Sequence, residues 1–146
     1  MGFGKKWCKW IKVCVLGAYF SILINGSPEG YFQSSQGIRQ GDPLSPALFI
    51  LMAEALSRVI IKSQQSDHWQ GIQFGSKELA VTHSLFADDT LLFGLSSIIE
   101  AKYIKAILNS YTKFSGQKIS KEKSKIFLFN TRSEVGRRIC KILEFE

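Results

Sequence analysis

Residues 85–93 contain two short apolar runs that meet at two adjacent carboxylates, Asp88 and Asp89. Apolar runs of this length, with phenylalanine on both sides, predict two β-strands joined by a tight two-residue turn at the Asp pair. Such turns usually contain Asn-Gly or Asp-Gly, because glycine adopts the positive backbone angles of the turn at little cost. Two like charges give the turn no structural advantage, so this stretch is a candidate functional site.

Three interpretations of the Asp pair follow from its chemistry. Two carboxylates at the tip of a rigid hairpin are oxygen ligands of the kind that Mg²⁺ takes, and substrate phosphates usually complete the shell of that ion. Two such ions can hold the attacking and leaving oxygens in phosphoryl transfer. The pair could instead be a solvated acidic turn, or the acidic end of a strand in a nucleoside triphosphatase. A triphosphatase would need a phosphate loop of the form G-x-x-x-x-G-K-[ST], which the sequence lacks.

The length and composition indicate one folded domain at most. A chain of 146 residues with 45% hydrophobic and 12% aromatic residues is long enough to bury a core and is not a disordered tail. The cysteines and histidines show neither C-x-x-C spacing nor a zinc pattern, which favours incidental thiols in a reducing compartment. These residues are Cys8, Cys14, Cys140, His68 and His83.

The net charge of +7 is unevenly distributed along the chain. Residues 1–25 carry four lysines and no acidic residue. Residues 26–100 carry four basic and eight acidic side chains, and residues 101–146 carry eleven basic and four acidic ones. An acidic middle segment that holds the Asp pair, with basic segments on both sides, fits a metal site beside a track for a phosphate backbone. An ordinary basic surface would give the same distribution.

The N-terminal region permits two interpretations. Four lysines precede the largely apolar residues 13–24, which resembles the start of a secretory signal peptide. However, Trp7, Trp10 and Ile11 lie at helical spacing among the lysines, and no clear cleavage site follows the apolar run. These features favour an amphipathic helix, in an intracellular protein of the nucleus or an organelle rather than a secreted one. The apolar run is too short to span a membrane, so no membrane partner is expected.

Periodicity and turn signals predict a mixed fold. Asn25-Gly26 is the strongest turn signal of the chain and predicts a hairpin, and Gly116 predicts the end of a helix. The order of elements indicates an α+β fold in which helices pack on one face of an antiparallel sheet. Besides the Asp hairpin, the predicted helices cover residues 5–16, 47–61 and 98–114, and the predicted strands cover residues 19–24, 30–35 and 126–129.

Other regions give less definite predictions. Residues 63–82 are polar and mixed, with a short alternating piece around residues 71–74, which indicates turns and an edge strand. Either Ser96 or Ser97 could cap the helix over residues 98–114. The segment that follows the last predicted strand has only a weak helical pattern and no evident partner to pack on.

Residues 36–46 form a predicted loop before a helix that is apolar on nearly every side. Its two glycines allow the backbone to approach a ligand closely. Ser45 suits the N-cap and Pro46 the first helical position, and the apolar character of the helix predicts that it is buried. The positive end of the helix dipole would then be a seat for a phosphate or for the edge of a base pair. An ordinary capped helix entry would have the same features.

Five sequence stretches stand out by their order and spacing. They are residues 1–4 (MGFG), 24–28 (INGSP), 39–46 (RQGDPLSP), 86–89 (FADD) and 115–124 (SGQKISKEKS). Together, over nearly the whole chain, they resemble the palm of the reverse transcriptases of non-LTR, LINE-type retrotransposons, with plant elements the most similar. One such motif is weak support, whereas five in register favour a functional Asp pair over a solvated acidic turn.

The resemblance implies roles for three charged residues. Asp88 corresponds to the chief metal-binding carboxylate of the family's Phe/Tyr-x-Asp-Asp motif, with Asp89 beside it, so both are expected to be catalytic residues and Mg²⁺ ligands. Lys123 matches the lysine of the family's following motif, where a cation could neutralise or protonate the pyrophosphate leaving group. Several other lysines lie within residues 118–125, and most of these would meet only solvent or phosphate.

The resemblance also implies a loop that binds nucleotide and template. Gln40 and Gly41 would contact the template and the incoming nucleotide. Arg39, Pro43 and Ser45 would complete this binding loop. The implied partners are an RNA or DNA template-primer and a deoxynucleoside triphosphate.

The chain departs from the family pattern at both ends. In the family, a strand with the first catalytic Asp precedes the MGFG stretch, and a thumb follows the lysine motif. Residues 1–146 are therefore expected to form a single, incomplete reverse transcriptase domain, from just after the first Asp motif to the lysine motif, without fingers or thumb. Two-metal catalysis needs carboxylates from both strands, so the chain alone is expected to be inactive. An exposed sheet edge would make it marginally stable.

Two further hypotheses remain open from the sequence. The chain could be a non-catalytic nucleic-acid-binding module that uses its basic ends. It could also dock onto a separately encoded remainder of the polymerase. Salt-dependent binding that survives Asp88→Asn would favour the binding module, and co-expression with pull-down would test the docking hypothesis.

Overall fold

A computed structural model describes residues 2–33, 37–73, 75 and 80–145. Its helices and antiparallel hairpins confirm the predicted α+β class. The elements are α1 (Lys5–Leu16), β1 (Tyr19–Ile24), β2 (Ser27–Gln33), α2 (Ser45–Gln65), β3 (Ile72–Gln73), β4 (Ala80–Val81), β5 (His83–Phe86), β6 (Asp89–Leu92), α3 (Ile98–Ser115) and α4 (Ser133–Leu143).

The chain divides into two compact units, Met1–Leu51 and Met52–Glu146. In the described ranges, the strands pair as three separate antiparallel hairpins, β1–β2, β3–β4 and β5–β6. None of the helices in these ranges is long and apolar enough to cross a membrane. That residues 1–146 form one incomplete domain stays a prediction.

The first unit begins as predicted, with α1 and the turn of the β1–β2 hairpin. α1 covers Lys5–Leu16, and Gly17 follows it and donates its N–H to the carbonyl of Val13. Asn25 and Gly26 have φ values of 50° and 85°. Two consecutive positive φ values are the backbone of a type I′ turn, which is the turn that Asn-Gly favours.

β2 begins earlier than predicted. The two-residue turn places Ser27 directly opposite Ile24, so the returning strand begins at Ser27 and not at residue 30, and it is described as far as Gln33. A tight turn leaves no residue between its second position and the next strand, which explains the difference. Ser34 and Ser35 lie outside the described residues.

α2 extends beyond the predicted helix over residues 47–61 at both ends, and the prediction of its N-cap is wrong. Ser45 is the first helical residue, and its hydroxyl donates to the carbonyl of Arg39 at 2.5 Å. Asp42 instead accepts the hydrogen bonds at the end of the loop. Its carbonyl accepts the N–H of Ser45 at 3.0 Å, and its Oδ1 accepts the N–H of Leu44 at 2.8 Å. A carboxylate is the stronger acceptor for such N–H groups, which explains the earlier start.

The prediction that this helix is buried on all sides is wrong for part of its surface. Leu56 and Ile60 are buried, whereas Ile50, Val59 and Ile61 are exposed. Burial is confined to a stripe of the helix, because the strands and α3 of the second unit pack against that stripe.

The main core of the second unit joins α2, α3 and the β5–β6 hairpin. Its buried centre is Leu56, Ile60 and Trp69, and the indole N–H of Trp69 donates to the carbonyl of Phe93 at 2.6 Å. Trp69 lies in the region that the sequence analysis treated as polar. The half-buried side chains that pack on this centre are Leu85, Leu92, Ile104, Ile107 and Tyr111.

The predicted edge strand near residues 71–74 is present but short. Ile72–Gln73 pairs antiparallel with Ala80–Val81, with Ile72 opposite Val81. Phe74 lies outside the described residues.

α3 ends as predicted. The Gly116 backbone is left-handed, with φ 71°, and its N–H donates to the carbonyl of Thr112 at 3.0 Å. Ser97 is the N-cap residue, but its side chain makes no capping hydrogen bond.

The C-terminal segment differs most from its prediction. It forms α4, which packs on α3 through buried Ala101, Ile139 and Leu143, so the interpretation as a weak helix without a partner is wrong. The predicted strand over residues 126–129 is also wrong, since these residues are neither helix nor strand. Ile126 instead packs on the α3–α4 contact, while Phe127 and Phe129 are exposed. An apolar run becomes a strand only where a partner offers backbone hydrogen bonds.

Candidate metal and nucleic-acid site

The Asp pair lies at the tip of the β5–β6 hairpin, one residue out of the predicted register. Phe86 pairs with Asp89, so the two turn residues are Ala87 and Asp88. The prediction that both carboxylates occupy the turn is therefore wrong. Asp88 is in the turn, whereas Asp89 is the first residue of β6. Both side chains are exposed.

Ala87 has a backbone conformation that alanine rarely adopts. Its φ is 49°, in the left-handed region. The Cβ atom makes this conformation cost about 1–2 kcal/mol relative to ordinary backbone. Strain of this kind persists only where the surrounding structure imposes it, and it clusters at functional sites. The observation independently marks the tip of the hairpin as a candidate site.

The two faces of this hairpin have different environments. Leu85 and Leu92 project to one face, where they pack on the core between α2 and α3. Residues that alternate with them project to the other face, and there Phe86 is 81% exposed and Leu91 60% exposed. Asp89 is opposite Phe86 and shares this second face. The carboxylate therefore lies beside an uncovered apolar surface.

The edges of the hairpin are also without partners in the part of the chain that the structure describes. There, β5 and β6 pair only with each other. Unpaired N–H and C=O groups at a strand edge are a template for a further strand. This arrangement agrees with the expected exposed edge beside the Asp pair.

The base of the hairpin is fixed by a histidine that the sequence analysis did not select. Nε2 of His83 lies 2.7 Å from the hydroxyl of Ser57, and its Nδ1 lies 3.0 Å from the hydroxyl of Thr82. Burial lowers the pKa of His83 from its usual value, since the charged form loses solvation. These contacts tie β5 to α2. No local sequence pattern indicates the contact with Ser57, which lies 26 residues away, whereas Thr82 is the adjacent residue.

A buried carboxylate holds the loops next to the hairpin. Glu100 is 4% exposed, and its Oε1 accepts the N–H groups of Gln70 at 2.9 Å and Gly71 at 3.4 Å. Its Oε2 accepts the N–H of Leu95 at 2.8 Å. The spacing from Ser97 to Glu100 is that of a capping box, which could have pointed to this residue. The structure uses the carboxylate differently, to join two loops.

The Asp pair is suited to a hard cation, but it supplies only two carboxylate side chains as ligands. Mg²⁺ takes one or two carboxylates and completes its shell with water and substrate phosphates. Asp88 and Asp89 supply adjacent, exposed carboxylates of this kind. Across the described residues, no group of three or more His, Cys, Asp or Glu side chains is placed to hold a metal. The residues present fit part of a magnesium shell.

The predicted nucleotide-binding loop belongs to the first unit. Arg39, Gln40, Gly41 and Pro43 are exposed, and Ser45 is half-buried. Gly41 has a φ of 80°, which only glycine adopts readily, and the space beside its Cα atom is open. The hydrogen bonds of Asp42 and Ser45 described above close the loop onto the start of α2. The loop is exposed, and the open space beside the Cα atom of Gly41 leaves room for a ligand.

Lys123 lies in an irregular segment of the second unit. It is exposed, and it takes part in no ion pair within the described ranges. The next residue anchors the turn, since the hydroxyl of Ser124 donates to the carbonyl of Ser120 at 2.7 Å. The structure thus presents the Lys123 ammonium group to solvent, and its catalytic role stays a prediction.

Comparison with known proteins identifies the family. The reverse transcriptase (RNA-dependent DNA polymerase) family model matches residues 1–145, nearly the whole chain. An uncharacterized mitochondrial protein of Arabidopsis thaliana is 46% identical over 72 residues, which are 49% of this chain and 59% of that protein. The chain therefore spans less than two thirds of that relative. From the family match, the chain belongs to the reverse transcriptase (RNA-dependent DNA polymerase) family.

Proposed function

We propose that this chain is part of the palm of a LINE-type reverse transcriptase, an RNA-directed DNA polymerase, and that Asp88 and Asp89 are its metal-binding carboxylates. Reverse transcriptases generally use divalent metal ions and bind nucleic-acid templates. The observation that carries the proposal is the exposed Asp pair at the tip of a strained hairpin, within a chain that matches the family over residues 1–145.

The proposed cofactor is Mg²⁺, held by Asp88 and Asp89. When bound, Mg²⁺ supplies positive charge that stabilises the oxygens of a phosphoryl group during transfer. The chain positions both carboxylates through the β5–β6 pairing, while the core contacts of Leu85 and Leu92 hold the hairpin. Rigid support of this kind keeps oxygen ligands in place for a metal with strict geometry.

The proposed nucleic-acid contacts lie in the loop before α2 and in the lysine motif. The exposed side chains of Arg39 and Gln40 and the open backbone at Gly41 would contact template and nucleotide, with Pro43 and Ser45 shaping the loop. A helix N-terminus after this loop favours phosphate groups. The lysine motif would contribute the Lys123 cation at the leaving pyrophosphate, since a cation stabilises the charge that develops there.

We also propose that the 146-residue chain does not catalyse polymerisation alone. A two-metal site needs more carboxylates than two neighbours on one hairpin provide. The described residues offer no third metal-ligating side chain near the pair. Residues 1–146 would then be one incomplete reverse transcriptase domain, which a separately encoded remainder of the polymerase could complete at the exposed edge of the hairpin.

Primer extension on an RNA template tests this proposal. The purified chain should give no templated incorporation. Co-expression with a segment that carries fingers and the first Asp strand of a LINE-type enzyme should give extension that Asp88→Asn abolishes and Asp67→Asn retains. Incorporation by the chain alone, abolished by Asp88→Asn, would contradict the claim of inactivity. Failure of the two segments to co-purify would contradict the docking claim.

A second candidate function is non-catalytic binding of nucleic acid, which the amphipathic helix α4 favours. Its buried face carries Ile139 and Leu143, and Arg137, Arg138 and Lys141 are exposed. A basic face of this kind contacts phosphate without reading sequence. In this case the affinity for nucleic acid should fall steeply with salt and be unchanged by Asp88→Asn. Affinity that does not depend on salt would exclude this function.

A further inference from the structure

The second unit contains a groove with several charged side chains in its lining, built from elements other than the Asp hairpin. It has a volume of about 350 Å³ and lies between the second half of α3, the segment that follows α3 and the end of α4. We call it the lysine groove. The polar side chains that line it and that matter here are Lys105, Asn109, Lys118, Lys121 and Glu144.

A carboxylate of the chain already lies between two ammonium groups of this groove. Oε2 of Glu144 is 3.3 Å from Nζ of Lys105 and 2.5 Å from Nζ of Lys121. The Lys105 ammonium also donates to the carbonyl of Leu143 at 3.1 Å. The hydrogen bond from Lys121 and then that from Lys105 hold the pKa of Glu144 below its usual range. The two lysines thus form a seat for an oxyanion.

The lysine groove has more positive charge than its own carboxylate neutralises. Three lysines line it against the single carboxylate of Glu144. Lys118 makes no ion pair within the residues that the structure describes. The amide of Asn109 adds a neutral hydrogen-bond donor to the lining. Excess ammonium groups with amide donors are the chemistry that recognises phosphate.

Two observations favour a polyanion as the ligand. The groove is open and not an enclosed cavity, so a chain can pass along it. Lys123 and Lys125 lie two and four residues after Lys121, with Glu122 and Ser124 between them, and both lysines are exposed. A single phosphate could use only the seat between two lysines, whereas a nucleic-acid backbone would also engage these neighbours.

We propose that the lysine groove binds a phosphate group of a nucleic-acid backbone, and that this phosphate displaces the carboxylate of Glu144 from Lys105 and Lys121. Glu144 then acts as an internal competitor that weakens binding. The charged oxygens of a phosphodiester replace those of the carboxylate, so both lysines keep an anionic partner. Lys118 gains a partner that the described residues do not give it. The groove contains neither the Asp pair nor the loop before α2, so the proposal does not depend on whether the chain is catalytic.

Fluorescence anisotropy with a labelled single-stranded oligonucleotide tests the role of Glu144. Glu144→Gln removes the competing charge and should tighten binding about three- to fivefold, as expected for loss of an exposed ion pair. Glu134→Gln is the matched control, because it removes the same charge from an exposed position of α4 outside the groove. Equal affinities of the two variants would overturn the proposal.

A lysine variant tests the same groove from the other side. Lys118→Gln should weaken oligonucleotide binding and lower the slope of log affinity against log salt by about 0.7, the value for one single-strand phosphate contact. Lys102→Gln, an exposed α3 position outside the groove, should have a smaller effect. Since Lys118 makes no ion pair in the described chain, its variant should keep the wild-type circular dichroism spectrum. Identical slopes for both variants would contradict the proposal.

Inorganic phosphate distinguishes a free ion from a nucleic-acid backbone. If Glu144→Gln tightens binding of inorganic phosphate, measured by ³¹P NMR, but leaves oligonucleotide affinity unchanged, the groove takes free phosphate and the proposal is wrong. Tighter oligonucleotide binding in the same variant supports it. The Glu144→Gln and Lys118→Gln comparisons need neither a divalent cation nor polymerisation, so failure of the proposed polymerase function remains separate from failure of this one.

Discussion

The backbone of Ala87 carries strain at the residue that precedes the Asp pair. Its φ of 49° favours glycine, so Ala87→Gly should raise the free energy of unfolding by up to about 1 kcal/mol. Urea denaturation of the purified chain measures this change. Ala106→Gly is the control of opposite sign, because at an exposed position inside α3 glycine costs about 1 kcal/mol. A lower stability of the Ala87 variant would contradict the strain.

Glu100 is the buried acceptor for three backbone N–H groups. In Glu100→Gln, the amide NH₂ group would face N–H donors in place of an acceptor oxygen. The variant should lose about 1–3 kcal/mol of unfolding free energy, since a buried donor is left without a partner. Glu134→Gln, at an exposed position in the first turn of α4, should change the free energy of unfolding by only about 0.3–1 kcal/mol. Equal losses in the two variants would show that the Glu100 contacts do not matter.

The lowered pKa of His83 predicts a pH dependence of stability. As the pH falls below about 6.5, the unfolded chain takes up a proton that the folded chain does not, so folding becomes less favourable. The contribution of His83 is therefore fully present above that pH and is lost as the pH falls towards the folded pKa. Urea denaturation at about pH 7.5 and 5.5 measures the loss. In His83→Asn the loss should be smaller, and an equal loss would assign it to other groups.

At the scale of elements, the sequence predicts those turns and helix ends that depend on residues close together in the chain. The Asn25-Gly26 turn, the end of α3 at Gly116 and the α1 helix follow from local backbone preferences. The Asp hairpin is present, but its two-residue turn lies one position earlier in the chain than predicted. The pairing of Phe86 with Asp89 depends on which leucines reach the core.

The elements that sequence missed depend on contacts between distant residues. Trp69 is buried only because α2, α3 and the Asp hairpin enclose it. The apolar face of α4 could be recognised from the helical spacing of Val135, Ile139 and Leu143, but its partner α3 could not. For the candidate site, the Asp pair can be predicted from sequence, because two adjacent carboxylates are typical ligands of a divalent cation. Sequence could not predict the contact of His83 with Ser57 or that of Glu100 with Gln70, since these pairs are 26 and 30 residues apart along the chain.

The contact between α3 and α4 is expected to stabilise the second unit. Ile139 is 4% exposed within it, so Ile139→Ala should cost about 2–5 kcal/mol through lost burial and the cavity that remains. Ile99→Ala serves as the control, since Ile99 is 68% exposed in α3 and little burial is lost there. Thermal or urea unfolding compares the two variants. Similar costs would show that α4 does not pack on α3 in solution.

At the scale of the whole molecule, the family match covers nearly the whole chain, and the assignment of individual site residues stays a proposal. The family match extends over residues 1–145, and the structure presents the Asp pair, the loop before α2 and Lys123 at the surface. The uneven charge adds a basic C-terminal segment to an acidic middle. Because the chain spans 59% of its Arabidopsis relative, the activity of a complete enzyme remains a proposal for this chain.

The central claim is that Asp88 and Asp89 bind a divalent cation, and Mn²⁺ titration followed by electron paramagnetic resonance tests it most directly. Mn²⁺ is a spectroscopic substitute for Mg²⁺, since both prefer carboxylate and water oxygens. The intact chain should bind the ion at a site that Asp88→Asn and Asp89→Asn each weaken at least about tenfold, as expected for loss of a ligand or its support. Asp67→Asn should bind like the wild type. Equal Mn²⁺ affinity in all four proteins would contradict the assignment of the Asp pair as the metal site.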